Sequence, residues 1–132
     1  MTFPHLRYDL VPHYLRGFFD GDGCVSATNK GVVNFTGMRP FLERVQHELN
    51  TRAMTAIGVR GCLARANKRA DRHPDTAQLI YGGRRSLTAI YNLLYTGATR
   101  FLLRKHEKFL SLLPIRQLSV PAENAVKSVT AP

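Results

Sequence analysis

Residues 15–23 of the chain read Leu15-Arg16-Gly17-Phe18-Phe19-Asp20-Gly21-Asp22-Gly23. The apolar first half is typical of the last turns of a helix, and the second half predicts a sharp turn that holds the carboxylates of Asp20 and Asp22. Two like charges a few ångströms apart repel each other unless a cation shares their site. A hard divalent cation such as Mg²⁺ selects carboxylate oxygens, so this acidic helix end is a candidate metal site.

Two other interpretations of the acidic turn exist. An Asp-Gly-Asp-Gly run is often only a turn, because aspartate and glycine tolerate turn backbones, and these residues alone leave that interpretation open. A helix–loop–helix calcium loop starting at Asp20 needs an oxygen ligand, a glycine and a glutamate at its fifth, sixth and twelfth positions. The chain has Cys24, Val25 and Gly31 there, so the spacing excludes the calcium loop.

Gly17 and Gly21 are four residues apart and therefore fall on one face of the predicted helix. Small residues on one face let two helix backbones approach closely. This pattern predicts a helix that brings its acidic end to a helix–helix seam.

The nine residues resemble the LAGLIDADG motif of homing endonucleases, because they match its leucine, its first glycine and its Asp-x-Asp-Gly end. Residues 24–28 are similar to the short strand that follows the motif in that family. Arg16 departs from the consensus, which has alanine there. Its side chain is left with three possible roles: pointing to solvent, weakening a dimer seam, or contacting DNA.

Composition limits the partners of this chain. With 132 residues, 44% of them hydrophobic, it has the size and apolar content of one globular domain. Nineteen Lys and Arg against nine Asp and Glu give a formal charge of +10, which suits a polyanion such as DNA or RNA. A ribosomal protein or a membrane-surface binder would share that charge. No apolar run approaches the ~20 residues needed to span a membrane.

The remaining chemistry-bearing residues suggest no second site. The N-terminus lacks the basic-then-apolar order of a signal peptide. Cys24 and Cys62 form no CxxC pattern, which favours a reduced, intracellular protein. The five histidines are scattered and do not have the spacing of a zinc site.

Hydrophobic periodicity predicts the order of the elements. The predicted elements are a helix from residue 12 that ends at Gly21 to Gly23, strands over 24–30 and 32–36, a helix over 40–50, strands over 57–66 and 76–81, a helix from 84, and a last helix over 99–112. In the first hairpin Val25, Ala27, Val33 and Phe35 are expected to face the core. Residues 1–113 are expected to form a single domain, and residues 114–132 a flexible C-terminal tail.

This order predicts an α+β fold with an antiparallel four-stranded sheet backed by helices on one face. Over residues 12–113 it is similar to one LAGLIDADG half-domain, αββαββα, whose sheet is saddle-shaped. Residues 34–37 and 101–106 also resemble the end of the family's second strand and its basic C-terminal helix.

The resemblance implies roles for individual residues. Asp22 is the position that binds metal and supports hydrolysis, with the backbone carbonyl of Gly21 as a second ligand. Asp20 is implied to be structural, and Gly17, Asp20 and Gly21 to form the motif and the dimer seam. Lys105 corresponds by rough alignment to the family's active-site lysine, with Arg104 as the second candidate, although both also suit an exposed helix face. Where the family often has a polar water-positioning residue, the chain has Thr36 and Gly37, neither of which replaces glutamine well.

A family member with one motif is expected to form a homodimer on a palindromic or near-palindromic DNA site. The resemblance thus implies a site-specific double-strand endonuclease that uses Mg²⁺ or another divalent cation such as Mn²⁺. A non-catalytic DNA-binding regulator and an RNA-splicing maturase on the same fold are the alternatives, with a basic ribosome-associated protein as a more remote one. The candidate DNA-binding residues are Ser26, Thr28, Lys30, Asn34, Thr36, Arg65, Asn67, Lys68, Arg69, Arg72 and Gln78.

Overall fold

A computed structural model describes residues 2–65, 73–113 and 126–127 of the chain. Its helices and strands are, in chain order, α1 (Val11–Asp22), β1 (Gly23–Ser26), β2 (Val32–Met38), α2 (Arg39–Leu49), β3 (Cys62–Arg65), β4 (Thr76–Gly82), α3 (Arg84–Tyr95), β5 (Arg100–Phe101), α4 (Leu103–Ser111) and β6 (Val126–Lys127). Short 3₁₀ turns span Tyr8–Leu10 and Thr28–Lys30, and a π-helical turn spans Asn50–Met54. The predicted α+β class and αββαββα order are confirmed.

The four longer strands form one antiparallel sheet in the order β1-β2-β4-β3. Alternate residues of these strands face a core in which Val25, Val33, Phe35, Leu79 and Tyr81 are fully or almost fully buried. The helices cover this face, and α1 contributes buried apolar side chains to the same core.

The opposite side of the sheet, here called the open face, carries the other alternate residues. Residues directly opposite each other on neighbouring strands share a face, so the register alone assigns its members. They are Cys24, Ser26, Val32, Asn34, Thr36, Met38, Cys62, Ala64, Thr76, Gln78, Ile80 and Gly82. All of them are half-buried or exposed, as expected for a surface without a covering layer.

Three predicted strand and helix bounds are wrong. The first strand ends at Ser26 rather than at residue 30, so Ala27 is exposed instead of facing the core. The third strand begins at Cys62 rather than at residue 57, because Gly58 and Gly61 adopt positive φ values of 71° and 74° that no strand accommodates. The last helix begins at Leu103 rather than at residue 99, because β5 precedes it.

The C-terminal part of the chain is described only at Val126–Lys127, which pairs in parallel with β5. The tail expected over 114–132 otherwise lies outside the described residues, and so does the hairpin tip at 66–72. The boundary between a domain of residues 1–113 and a tail therefore stays a prediction. None of the helices in residues 2–65 and 73–113 has the length and apolarity that spanning a membrane requires.

Candidate functional site

Helix α1 carries the acidic motif and ends at Gly23. Proline near its start suits the first turn, where the missing N–H is not needed. The Gly23 N–H donates to the Phe19 carbonyl, and a Cβ at Gly23 would clash with the Phe19 ring, so only glycine fits this close approach. The sequence predicted that a sharp turn after the helix holds both aspartates. This prediction is wrong in one respect, because Asp20 and Asp22 both lie in the last turn of α1.

Asp22, the last residue of α1, is exposed. Its carboxylate makes no hydrogen bond or ion pair with the residues that the structure describes. It lies in a groove with Gly17 and Gly21, and an added Cβ at either glycine would have no atom within 4 Å. None of the residues that the structure describes therefore covers the glycine face of α1 or its terminal carboxylate.

Asp20 has a different environment from Asp22. It is half-buried, and its Oδ2 accepts a hydrogen bond from the Leu102 N–H at 3.0 Å, which ties α1 to the junction between β5 and α4. Burial raises the pKa of the Asp20 carboxyl, although this hydrogen bond and the charges of Lys105 and Arg16 oppose the shift. The environment of Asp20 suits a structural role, whereas the environment of Asp22 leaves its oxygens available to a ligand.

Arg16 points into the protein. Its Nε donates to the Arg100 carbonyl at 2.9 Å, its Nη1 donates to the Leu94 carbonyl at 2.8 Å, and its Nη2 lies 2.8 Å from Nδ1 of His13. Only 8% of the residue is exposed, and burial lowers the pKa of its guanidinium. The main contacts of this side chain are therefore within the protein, and not with solvent, a dimer seam or DNA, which were the three roles left open by the sequence. Arg16 instead fastens α1 to the end of α3 and to β5.

We expect Arg16→Met to lower the free energy of unfolding by about 2–4 kcal/mol, because the carbonyls of Leu94 and Arg100 lose their donors. Urea unfolding followed by circular dichroism measures this loss. His13→Ala is the matched control, since it removes one exposed partner of the same guanidinium and is expected to cost less than about 1 kcal/mol. Unchanged stability in Arg16→Met would contradict the structural role.

Lys105 reaches the end of α1 from α4. Its Nζ donates to the carbonyls of Phe19 at 2.9 Å, Asp20 at 2.8 Å and Gly23 at 2.6 Å. A cation at a helix C-terminus is favourable, because the unpaired carbonyls carry partial negative charge. Burial lowers the pKa of Lys105, with the neighbouring Arg104 adding to the effect and Asp20 opposing it. The exposed-face interpretation is wrong for Lys105 but correct for Arg104.

The open face brings together four of the predicted DNA-binding residues: Ser26, Asn34, Thr36 and Gln78. Thr28 and Lys30 are exposed in the turn that joins β1 to β2, beyond the strand on which they were expected. The predictions for Asn67, Lys68, Arg69 and Arg72 fall outside the described residues.

Arg65, which was also predicted to bind DNA, does not lie on the open face. It pairs with the buried Ala77, so the register assigns it to the helix-covered side rather than to the open face. Sequence reasoning also missed members of the open face that are not hydrophilic. They are Cys24, Val32, Met38, Cys62, Ala64, Ile80 and Gly82. Period-two counting onward from Gln78 would have found Ile80.

A metal site complete within one chain is not found in the part of the protein that the structure describes. No three or more His, Cys, Asp or Glu side chains come together there in an arrangement that could hold a metal ion. The oxygen donors at the end of α1 are the Asp22 carboxylate and backbone carbonyls, which is the donor chemistry that Mg²⁺ prefers.

Two solved structures of the homing endonuclease I-CvuI are similar to this chain. One is its complex with the I-CreI target (C1221) in 2 mM Mg, in which the DNA is not cleaved; it has 20% identity and a TM-score of 0.44 over 65% of this chain and 55% of that chain. The other, with its own target (Sro1.3) in 2 mM Ca, has 18% identity and a TM-score of 0.39 over 64% and 54%. The chain thus spans about half the length of these structures. None of the curated proteins matches the sequence.

The family model of the LAGLIDADG-like domain matches residues 9–92. This match spans well over half of the chain and includes α1 with its acidic end and all four strands of the antiparallel sheet. The chain therefore belongs to the family of LAGLIDADG-like domains.

Proposed function

We propose that this protein is a site-specific DNA endonuclease that works as a homodimer and uses Mg²⁺ or Mn²⁺ to hydrolyse both strands. The observation that carries the proposal is the exposed Asp22 carboxylate at the end of a helix whose glycine face is uncovered. A carboxylate with no structural partner is free to bind an ion, and an uncovered glycine face is free to pack against a copy of itself. The formal charge of +10 supports a polyanionic partner.

The metal would be held by the Asp22 carboxylate and the Gly21 carbonyl. When bound, the ion would lower the pKa of a coordinated water and neutralise charge at the scissile phosphate. Mg²⁺ usually keeps several waters and is held by one or two carboxylates plus substrate phosphates, so water and the scissile phosphate would supply its other ligands. Two copies of α1 meeting at a twofold axis would place one Asp22 carboxylate near each DNA strand, which is why the proposal includes a dimer.

The other residues at this end of α1 position the carboxylate. Lys105 binds two carbonyls of the last turn of α1 and the carbonyl of Gly23 just after it, so it fixes where Asp22 is presented and keeps a positive charge beside it. Asp20 anchors the same turn to Leu102. Arg104, Lys105 and Lys108 also line a cleft with β1, and the exposed side chains of Arg104 and Lys108 are candidates to meet a phosphate there.

The open face would read the target. Asn34 and Gln78 suit adenine, and Ser26 and Thr36 accept or donate to several base edges. Ile80 adds an apolar contact of the kind that thymine methyl groups make. Lys30 would bind phosphate and add salt-dependent affinity without sequence information. In a symmetric dimer this surface repeats, so the site is expected to be palindromic or nearly so.

The test is incubation of the protein with randomised duplex DNA and Mg²⁺, followed by sequencing of the ends produced. We expect a defined, near-palindromic target cut in both strands. Selective binding without cleavage would overturn the nuclease in favour of a regulator. Preference for folded RNA would indicate a maturase, and no sequence preference would indicate a structural role on the ribosome. Because Cys24 and Cys62 are both free and exposed, an intracellular, reducing location is part of the proposal.

A further inference from the structure

The N-terminus of α3 opens into a depression of about 590 Å³ that the proposed reaction does not use. It is lined by Gly82, Gly83 and the first three residues of α3, together with Lys30 and the apolar Val59. The Gly83 N–H donates to the Gly31 carbonyl at 3.0 Å, which fastens this loop to the turn between β1 and β2. That bond brings Lys30 to the start of α3.

The charge at the start of α3 is opposite to what the helix dipole favours. Arg84 and Arg85 occupy the first turn, which contains no acidic residue, and no side chain caps the helix. A helix N-terminus carries partial positive charge and favours anions, so two arginines there are unfavourable in the absence of one. The N–H groups of Arg84, Arg85 and Ser86 also have no carbonyl partner within the helix.

A second observation is independent of the dipole. Ser86 is only 1% exposed, lines the depression, and its Oγ has no hydrogen-bond partner among the described residues. A buried hydroxyl without a partner is unfavourable, and such groups usually find one. Within the described structure, the three amides and the Ser86 hydroxyl are hydrogen-bond donors without an acceptor, and the three cations beside them lack a counter-ion. A single anion with several oxygens would meet both needs.

We propose that this depression binds a phosphate group. The three amides and the Ser86 hydroxyl would donate to its oxygens, and Arg84, Arg85 and Lys30 would balance its charge. An added Cβ at Gly82 or Gly83 would have no atom within 4 Å, so the loop leaves open space where the anion would lie.

The phosphate has two possible sources, the DNA backbone and free inorganic phosphate. Gly82 lies opposite Val32, which is three residues along β2 from the partner of Gly23, and β4 is two strands across from β1. The depression therefore lies about 10 Å along the strands and about 10 Å across them from the end of α1, or about 14 Å away. A backbone phosphate flanking the cut site is therefore a geometrically reasonable occupant. Only this source rests on the proposed function, because binding of free phosphate does not require a nuclease.

The first test is titration of the ¹⁵N-labelled protein with inorganic phosphate. We expect saturable amide shifts at Arg84, Arg85 and Ser86. The affinity should fall at least about tenfold in Arg84→Gln/Arg85→Gln, but not in the charge-matched control Arg7→Gln/Arg44→Gln. Ser86→Ala should weaken phosphate binding without lowering the thermal midpoint in phosphate-free buffer, which a structural hydroxyl would lower. Absence of these shifts, or equal affinity in the variants, overturns the proposal.

The second test identifies the source. If the DNA backbone is the occupant, Arg84→Gln/Arg85→Gln should weaken binding of a random duplex and reduce the slope of log affinity against log salt by about 1 relative to the control pair. If free phosphate is the occupant, the amide shifts remain and the DNA slope is unchanged. Neither result depends on cleavage, so an inactive protein that shows the shifts would refute the nuclease proposal and leave this one intact.

Discussion

Asp22→Asn is expected to slow Mg²⁺-dependent cleavage of the target duplex by at least about a thousandfold. Asp22 supplies the only side-chain oxygens of the proposed metal site, and loss of about 4 kcal/mol of transition-state stabilisation corresponds to that factor. Duplex affinity and the thermal midpoint should change little, because this carboxylate is exposed and holds no other part of the described structure. Single-turnover cleavage and equilibrium binding on the same duplex measure the two effects separately.

The matched control is Asp20→Asn, two residues away with the same change of charge. The amide oxygen can still accept from the Leu102 N–H, and burial already disfavours the ionised carboxyl at this position. This variant should therefore keep its fold and most of its cleavage. Wild-type cleavage by Asp22→Asn, or equal loss of cleavage in both variants, would contradict the different roles proposed for the two carboxylates.

Gly17→Leu is expected to weaken the homodimer about a thousandfold while leaving the protomer folded. Gly17 is helical and exposed, and an added Cβ has none of the described atoms outside its own helix within 4 Å, so a larger side chain there is expected to extend into solvent in a single protomer. At a twofold seam the added side chain enters twice, and each insertion into a packed contact costs about 1–3 kcal/mol. A combined cost of about 4 kcal/mol gives the expected change in dissociation constant.

Sedimentation equilibrium over a range of protein concentrations measures that constant. Ala56→Leu is the control, because it enlarges a small exposed residue far in sequence from the motif and should leave dimerisation unchanged. Within the protomer, leucine should slightly stabilise α1, since it favours a helix more than glycine does. A wild-type protein that stays monomeric on its DNA would remove the seam from the proposal.

Much of the fold followed from local patterns. Period-two alternation predicted that Val25, Val33 and Phe35 face the core, and the order of helical and strand segments predicted the four-stranded sheet. These predictions were correct because burial of one face is repeated along each element and leaves a periodic trace. Prediction failed at some element bounds. β3 starts late because Gly58 and Gly61 have positive φ values, and Gly61 also lies so close to the distant Tyr81 ring that a Cβ there would clash.

The sequence by itself determined the family motif, the α+β order and the net positive charge on which the proposal of a polyanionic partner rests, because each is recorded in neighbouring residues or in total composition. Only the tertiary structure decided what the ionic side chains do. Arg16 binds a carbonyl 84 residues away, and Lys105 binds one 86 residues away, so nothing near either residue in the sequence indicated its partner. The same holds for the start of α3, whose basic turn became a candidate phosphate site once folding set it beside Lys30 and the unpaired Ser86 hydroxyl.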